Sequence, residues 1–267
     1  RTASCLDSDC GRCQGCDSSI RPRRTWPSAS RPRTPRPASF GRRMDQVLRY
    51  EAYYEKSGLA RFLSHRDLAN HLQRSLRRAG VEVAHSAGFH PKMLVSYAPA
   101  LPLGMEARED CFEFRSFYRF EEKALLRRLN RSVRSGIRFL RVRRVGDSEA
   151  SLNERIKSMV YSLDLKDESV CAALVARKTA IGEGEVGDLD FIQNELARMI
   201  EAHPGSLDGF WVDGAEMKLY LELPALSRRG LRPQDVVNSV FGLENASARL
   251  TRERLVFRPD AVRPSSD

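Results

Sequence analysis

VLRYEAYYEKSGLARFLSHRDLANHLQRSLRRAGVEVAHSAGFHPKMLVSYA, residues Val47 to Ala98, passes from one structural period to another and back within a single stretch. Val47 to Glu55 is rich in aromatic and β-branched residues and predicts a strand. Lys56-Ser57-Gly58 then turns the chain, and Leu59 to Leu63 reads as a second extended run. Ser64 and Asp67 have capping-box spacing, so a helix should follow at once. At 100° per residue, Leu68, Leu72, Leu76 and Ala79 share one arc, and Arg66, Arg74, Arg77 and Arg78 lie opposite. Gly80 ends the helix. Val81 to Ala84 and Met93 to Ala98 read as strands on either side of His85 to Lys92.

Downstream, Pro99, Pro102 and Gly104 break the chain before an alternating strand, Cys111 to Phe120. Glu121 to Val133 is helical with Leu125, Leu126 and Leu129 inward. In Ile137 to Val145, Arg138, Arg141, Arg143 and Arg144 alternate with Phe139, Leu140 and Val142 as a last strand. Strand, helix, strand, strand, helix, strand is the split βαβ or ferredoxin-like order, with helices on one face of an antiparallel sheet. A second pass follows: a strand at Met159 to Leu165, helices at Glu168 to Ala176 and Leu189 to Ala202, and a strand or hairpin from Gly209 to Leu223 bent at Asp213-Gly214. A helix from Arg232 to Phe241 and a strand from Ala248 to Phe257 complete it. The predicted fold class is α+β, two tandem ferredoxin-like domains at 44–148 and 149–258, the second decorated, with a tail at 259–267.

In 267 residues, 41% are hydrophobic and 30% charged, and the net charge is +10. Residues 1–43 hold ten arginines and three aspartates, so this tail carries seven of the ten surplus charges. A basic tail can neutralise phosphates and release counterions, but any nucleic-acid argument for the body must be local. Residues 18–43 repeat Arg-Pro steps and serines, which deny helix and packed strand alike and predict a disordered linker. No run reaches the ~18–20 apolar residues of a spanning helix and no secretory leader is visible, so the expectation is a cytoplasmic chain with no membrane partner. The chain opens on Arg1, with Met44 at the head of the folded region, so the tail is expected to derive from a longer protein or an upstream start.

Residues 1–17 form a cysteine-rich segment in which Cys5, Cys10, Cys13 and Cys16 are spaced C-x4-C-x2-C-x2-C. Four thiols this close, in a reducing compartment, read as metal ligands rather than disulfides. An iron–sulfur cluster is the first reading and zinc the alternative. No G-x-G-x-x-G fingerprint, phosphate-loop ending or H-E-x-x-H pattern occurs, so no cofactor is expected in the body. Cys111 and Cys171 are expected to be buried and inert.

Four blocks, Phe62-Leu-Ser-His-Arg-Asp-Leu68, Arg77-Arg-Ala-Gly80, Ser86-Ala-Gly-Phe-His-Pro91 and Leu101-Pro-Leu-Gly104, resemble the radical SAM-linked domain of unknown function. In that family a similar block lies at the C-terminus of cobalamin-binding radical SAM proteins, or beside them. The resemblance extends from Met44 to about Phe257, more loosely after Val145. The cysteine cluster resembles the tail that closes the radical SAM portion in fused members. What this implies is a radical SAM partner, fused or separate. The family's own cluster motif is C-x3-C-x2-C on a barrel, and the spacing from Cys5 to Cys10 departs from it. The chain is therefore not expected to cleave S-adenosylmethionine, and any cluster on the four cysteines would be auxiliary.

Within the body, Arg61, His65, Arg66, Arg74, Arg77, Arg78, Ser86, His90 and Lys92 form the candidate RNA or anion site. His65 opens a helix, where amides and the macrodipole favour anions, and the predicted topology sets the His85–Lys92 loop beside it. His71 reads as a boundary residue, and Phe89 as a side chain that fills the core beneath a shaped loop. No catalytic residue is assigned, although His65, His90 and Lys92 are candidates for acid–base cleavage of a phosphodiester. The leading expectation is a non-catalytic module that recruits RNA for a radical SAM system. The alternatives are an RNA-processing or RNA-modifying enzyme using His65 and His90, and a protein-docking domain for the radical SAM partner.

Overall fold

In the first strand, Leu48, Tyr50, Ala52 and Tyr54 are buried on one face, yet the alternating residues Arg49, Glu51 and Tyr53 are buried too. A strand covered on both faces belongs inside a layered sheet. The computed structural model, which describes residues 41–225, 231–243 and 249–259, places it there. The strands are β1 (Arg42–Lys56), β2 (Val95–Tyr97), β3 (Glu106–Arg119), β4 (Ile137–Val145), β5 (Ile156–Asp164), β6 (Gly209–Asp213), β7 (Lys218–Pro224) and β8 (Leu250–Phe257). The helices are α1 (His65–Arg78), α2 (Glu122–Ser132), α3 (Leu152–Arg155), α4 (Glu168–Ala180), α5 (Asp188–Ala202) and α6 (Pro233–Phe241).

All eight strands described join one mostly antiparallel sheet in the order β4-β1-β3-β8-β5-β7-β6, with β2 paired to β3. β1 is zipped to β3 with Tyr50 opposite Phe114 and Ala52 opposite Phe112, and to β4 with Glu51 opposite Arg143. The free edge of β3 serves two partners. β2 pairs antiparallel along Phe112 to Phe114, and β8 pairs parallel at Glu106 and Ala107. The regions expected as separate domains therefore share one sheet through the foot of β3.

Each half keeps its own helix layer. Leu68, Leu72 and Leu76 of α1 and Leu125 and Leu129 of α2 pack on Tyr50, Phe112, Phe114 and Phe139. In the second half, Val170, Phe191, Leu196 and Val236 from α4, α5 and α6 pack over Leu219, Leu221 and Leu163, joined by Tyr53 and Cys111 of the first half.

Charged groups fill much of the contact between the halves. Glu51 accepts from Arg143 Nε at 2.7 Å, from the Tyr53 hydroxyl at 2.7 Å and from Arg155 Nη2. Arg49 donates twice to Glu113, at 2.9 and 2.7 Å, and to the carbonyls of Glu149 and Ala150. Further along, the fully buried Arg252 donates to Asp110 at 3.2 Å, to the Pro99 carbonyl at 2.8 Å and to the Tyr161 hydroxyl at 3.1 Å. Buried charges persist when paired and hydrogen-bonded, and both clusters are ion-paired with partners from both halves, although Arg252 Nε is left without a hydrogen-bond partner.

Two expected extended runs take other forms. Leu59 to Leu63 has no strand beside it, and Gly58–Phe62 winds into a 3-10 turn that leaves Leu59 exposed. Within Val81 to Ala84, the backbone hydrogen bond to β3 is made by the Ala84 amide. The Glu82 carbonyl is taken by Ser116 Oγ at 2.6 Å instead of by a ladder, and β2 contracts to Val95–Tyr97.

Candidate functional site

α1 forms where the sequence placed it. Ser64 Oγ accepts from the Asp67 amide at 3.1 Å, but Asp67 takes the Ser64 hydroxyl at 2.7 Å rather than reaching the Ser64 amide. The carboxylate of Asp is one methylene shorter than the Glu that completes a capping box. The buried leucine stripe turns Arg66, Arg74, Arg77 and Arg78 outward, and all four are exposed.

The two flanks of α1 meet different neighbours. On one flank His65 stands edge-on to Tyr97, with ring centroids 5.7 Å apart, and Gln73 donates to the Tyr97 hydroxyl at 3.1 Å. Further along this flank, Arg77 Nη2 lies 3.2 Å from Met93 Sδ. Tyr97 thus marks the helix start and Met93 its end. Beyond Met93 the chain forms a small hairpin. His85 bridges Met93, the Ser86 amide donates to the Lys92 carbonyl at 2.8 Å, and the Lys92 amide donates to Ser86 Oγ at 3.0 Å. Gly88 takes φ 125° in this loop, a conformation that favours glycine. Phe89, expected in the core, is fully exposed at the tip beside exposed His90 and Lys92. With the backbone tied at its base, the loop turns Phe89 to solvent.

The expected set is therefore divided. Arg77 lies at the end of α1 on the flank of Met93 and the hairpin that carries Ser86, His90 and Lys92, whereas Arg74 and Arg78 turn to the opposite flank. His65 and Arg66 sit at the first turn, with His65 about 20 Å from Arg78 along the helix at ~1.5 Å per residue. Arg61 belongs to that first end. Its guanidinium lies 4.0 Å from Glu106 and over the Phe62 ring, and its carbonyl accepts from the Gly104 amide. His65 and His90 are not brought together.

The opposite flank of α1 borders a hollow of about 290 Å³ lined by Asp67, Asn70, His71, Arg74, Arg78 and Arg134. Arg78 is fixed there by its Nε donating to the Ser132 carbonyl at 2.8 Å and its Nη2 to Ser75 Oγ at 3.2 Å. His71 Nε2 is shielded from solvent without a hydrogen-bond partner. Burial, followed by the charges of Arg78, Arg134 and Arg74, holds the imidazole pKa below its ordinary value. Sequence reasoning missed Arg134. It lies in the α2–β4 connection, brought to α1 by Gly136, whose carbonyl accepts from the Ser57 amide at 2.9 Å. A Cβ at Gly136 would come within 2.8 Å of Ala60 Cβ, and its φ is 88°.

Among the described residues no cluster of His, Cys, Asp or Glu could hold a metal ion, and no helix is long and apolar enough to cross a membrane. Cys5, Cys10, Cys13 and Cys16 lie outside the described residues. Cys111 is buried, and burial pushes its thiol pKa well up. Cys171, expected inside, is exposed.

Fold and site define an α+β protein with an exposed basic face built on its first helix. The chain belongs to the family described as an uncharacterized protein conserved in bacteria, DUF2344, whose model matches residues 49–196. That match runs from β1 through most of α5 and includes α1, the hairpin and the Glu51 network. No curated protein matches the chain.

Proposed function

We propose that the protein is a non-catalytic module that binds RNA across the last turns of α1 and the Ser86–Lys92 hairpin, and presents it to a radical SAM partner. The observation that carries the RNA reading is Phe89, fully exposed on a braced loop between basic groups. An aromatic ring held out beside cations suits a base that stacks while its phosphates are neutralised. The partner rests on the resemblance of the blocks between Phe62 and Gly104. On the same reading each half is a split βαβ unit, since β4-β1-β3-β2 and β8-β5-β7-β6 repeat one strand order. The four tail cysteines would hold an auxiliary iron–sulfur cluster or zinc, and the protein would work in the cytoplasm. Iron, sulfide and zinc analysis after anaerobic purification tests the metal. Paired His65/His90 chemistry gains no support from two imidazoles at opposite ends of α1.

Fluorescence anisotropy with single-stranded RNA across a salt series tests the recruitment reading. Each of Arg77→Gln and Lys92→Gln should reduce the slope of log affinity against log salt by about one. Phe89→Ala should weaken binding by ~1–3 kcal/mol with the slope unchanged. No binding at low salt, or affinity indifferent to all three changes, would refute it. A second reading, docking of the partner protein, draws on exposed Leu59, Phe62 and Leu103, the last two beside the bond joining Gly104 to Arg61. Capture of a radical SAM protein that survives high salt and is lost on Phe62→Ser would favour docking over recruitment.

A further inference from the structure

The hollow on the second flank of α1 differs in kind from the hairpin face. It is concave, near the small end of the ~300–1,000 Å³ range of small-molecule sites, and all its lining residues but Leu63 are polar or charged. Three guanidinium groups face one carboxylate across it, a surplus of two positive charges. Arg74 and Arg134 form no ion pair among the described residues. Arg78 gives its bonds to neutral oxygens of Ser132 and Ser75. Asp67 is the single acid in the lining, and it is engaged by the Ser64 hydroxyl at the opposite end of the hollow from Arg78. Three guanidinium groups around one carboxylate and a shielded imidazole nitrogen that no protein group hydrogen-bonds suit an anion that would engage both.

We propose that this hollow is a binding site for a phosphomonoester, its dianionic phosphoryl group held by Arg74, Arg78 and Arg134 and hydrogen-bonded to His71 Nε2. A dianion matches the surplus charge, and planar guanidinium groups suit phosphoryl oxygens. The inference goes beyond RNA recruitment, because a hollow of this size takes one phosphoryl group rather than a run of backbone. Binding should also move a proton. Burial, and after it Arg78, Arg134 and Arg74, disfavour the positive form of His71, with Asp67 the one acid in the lining. An incoming anion opposes that field, so the imidazole becomes easier to protonate, and affinity for an anion of fixed charge should rise as pH falls.

The test follows the His71 imidazole resonances in the full chain by NMR, titrating inorganic phosphate, sulfate or chloride at constant ionic strength. Sulfate keeps its charge over this pH range and so isolates the contribution of His71. Phosphate and sulfate should shift the His71 signals saturably and raise the pH at which they titrate, and chloride should do neither. Arg134→Gln and Arg74→Gln, both at exposed positions, should each weaken phosphate binding about tenfold with the melting temperature unchanged. Comparing oligoribonucleotides with 5′-phosphate and 5′-hydroxyl ends then distinguishes an RNA terminus from a free phosphomonoester as the source of the group. His71 signals that follow ionic strength alone, or an Arg134→Gln protein that binds phosphate as tightly as the parent, would overturn the proposal. RNA binding lost on Phe89→Ala or Lys92→Gln bears on the hairpin and leaves this site untouched.

Discussion

Replacing Glu51 by Gln should destabilise the protein by about 3 kcal/mol although the side chain keeps its shape. Glu51 is fully buried and accepts from Arg143, Arg155 and Tyr53. Without its charge, Arg155, itself 5% exposed, retains Glu149 at 3.2 Å and Glu113 at 3.8 Å. Breaking a buried ion pair by removing one partner costs ~3–5 kcal/mol, and the two remaining carboxylates place this case at the lower end. Against a total stability of roughly 5–15 kcal/mol this is a large share, and at ~2–4 °C per kcal/mol it lowers Tm by roughly 6–12 °C. The control is Glu55→Gln, which breaks the pair with Arg138, whose side chain is 70% exposed. Exposed pairs contribute ~0–1 kcal/mol, so that variant should melt close to the parent. Urea unfolding of the three proteins, followed by circular dichroism, reads the difference. If Glu51→Gln loses no more than Glu55→Gln, the claim that buried charge ties the halves together is wrong.

Arg252→Met should cost ~3–5 kcal/mol in the same assay, because Asp110 would stay buried with its guanidinium partner gone. Arg143 holds the Glu149 pKa at about 2 against an ordinary 4.5. A carboxylate whose pKa is depressed by folding stabilises above its unfolded pKa, so this contribution should be intact above about pH 4.5 and disappear as pH falls toward 2. Glu149→Gln should flatten the acid limb of a stability profile, and an unchanged limb would count against the assignment. Iodoacetamide should label Cys171 in the native protein and reach Cys111 only on unfolding, as peptide mass mapping would show. Phe89→Ala should shift stability by no more than ~0.5 kcal/mol, since the ring buries nothing.

Local patterns were readable from the residues. The leucine stripe of α1, the stop at Gly80 and the strand Ile137–Val145 all follow from periodicity and turn chemistry, and each is found where it was read. What required the fold was the second face of each strand. Arg49 and Glu51 alternate with Leu48 and Tyr50 as a solvated face would, and Arg143 alternates with Val142. Yet these charges are covered by Glu149, Ala150 and Arg155, which arrive from later in the chain. Alternation reports which residues share a face and is silent on what lies above it. The hollow was hidden for a similar reason. His71 could be placed on the wheel, but Arg134 meets it only in the fold, where Gly136 packs on the 3-10 turn and the Ser132 carbonyl accepts from Arg78. Phe89 shows the reverse error, an aromatic assigned to the interior by type when its loop has no interior to offer.

The foot of β3, where β8 takes the edge that β2 leaves open, restricts how this protein can change over generations. A gene rearrangement that replaced everything after Val145 would have to bring, at two unrelated places in the new segment, arginines able to reach Glu51 and Asp110. It would also need a strand running in the right direction to meet Glu106 and Ala107. Few foreign sequences satisfy all three conditions at once, so the halves should descend as a pair, with exchange between lineages confined to surface loops.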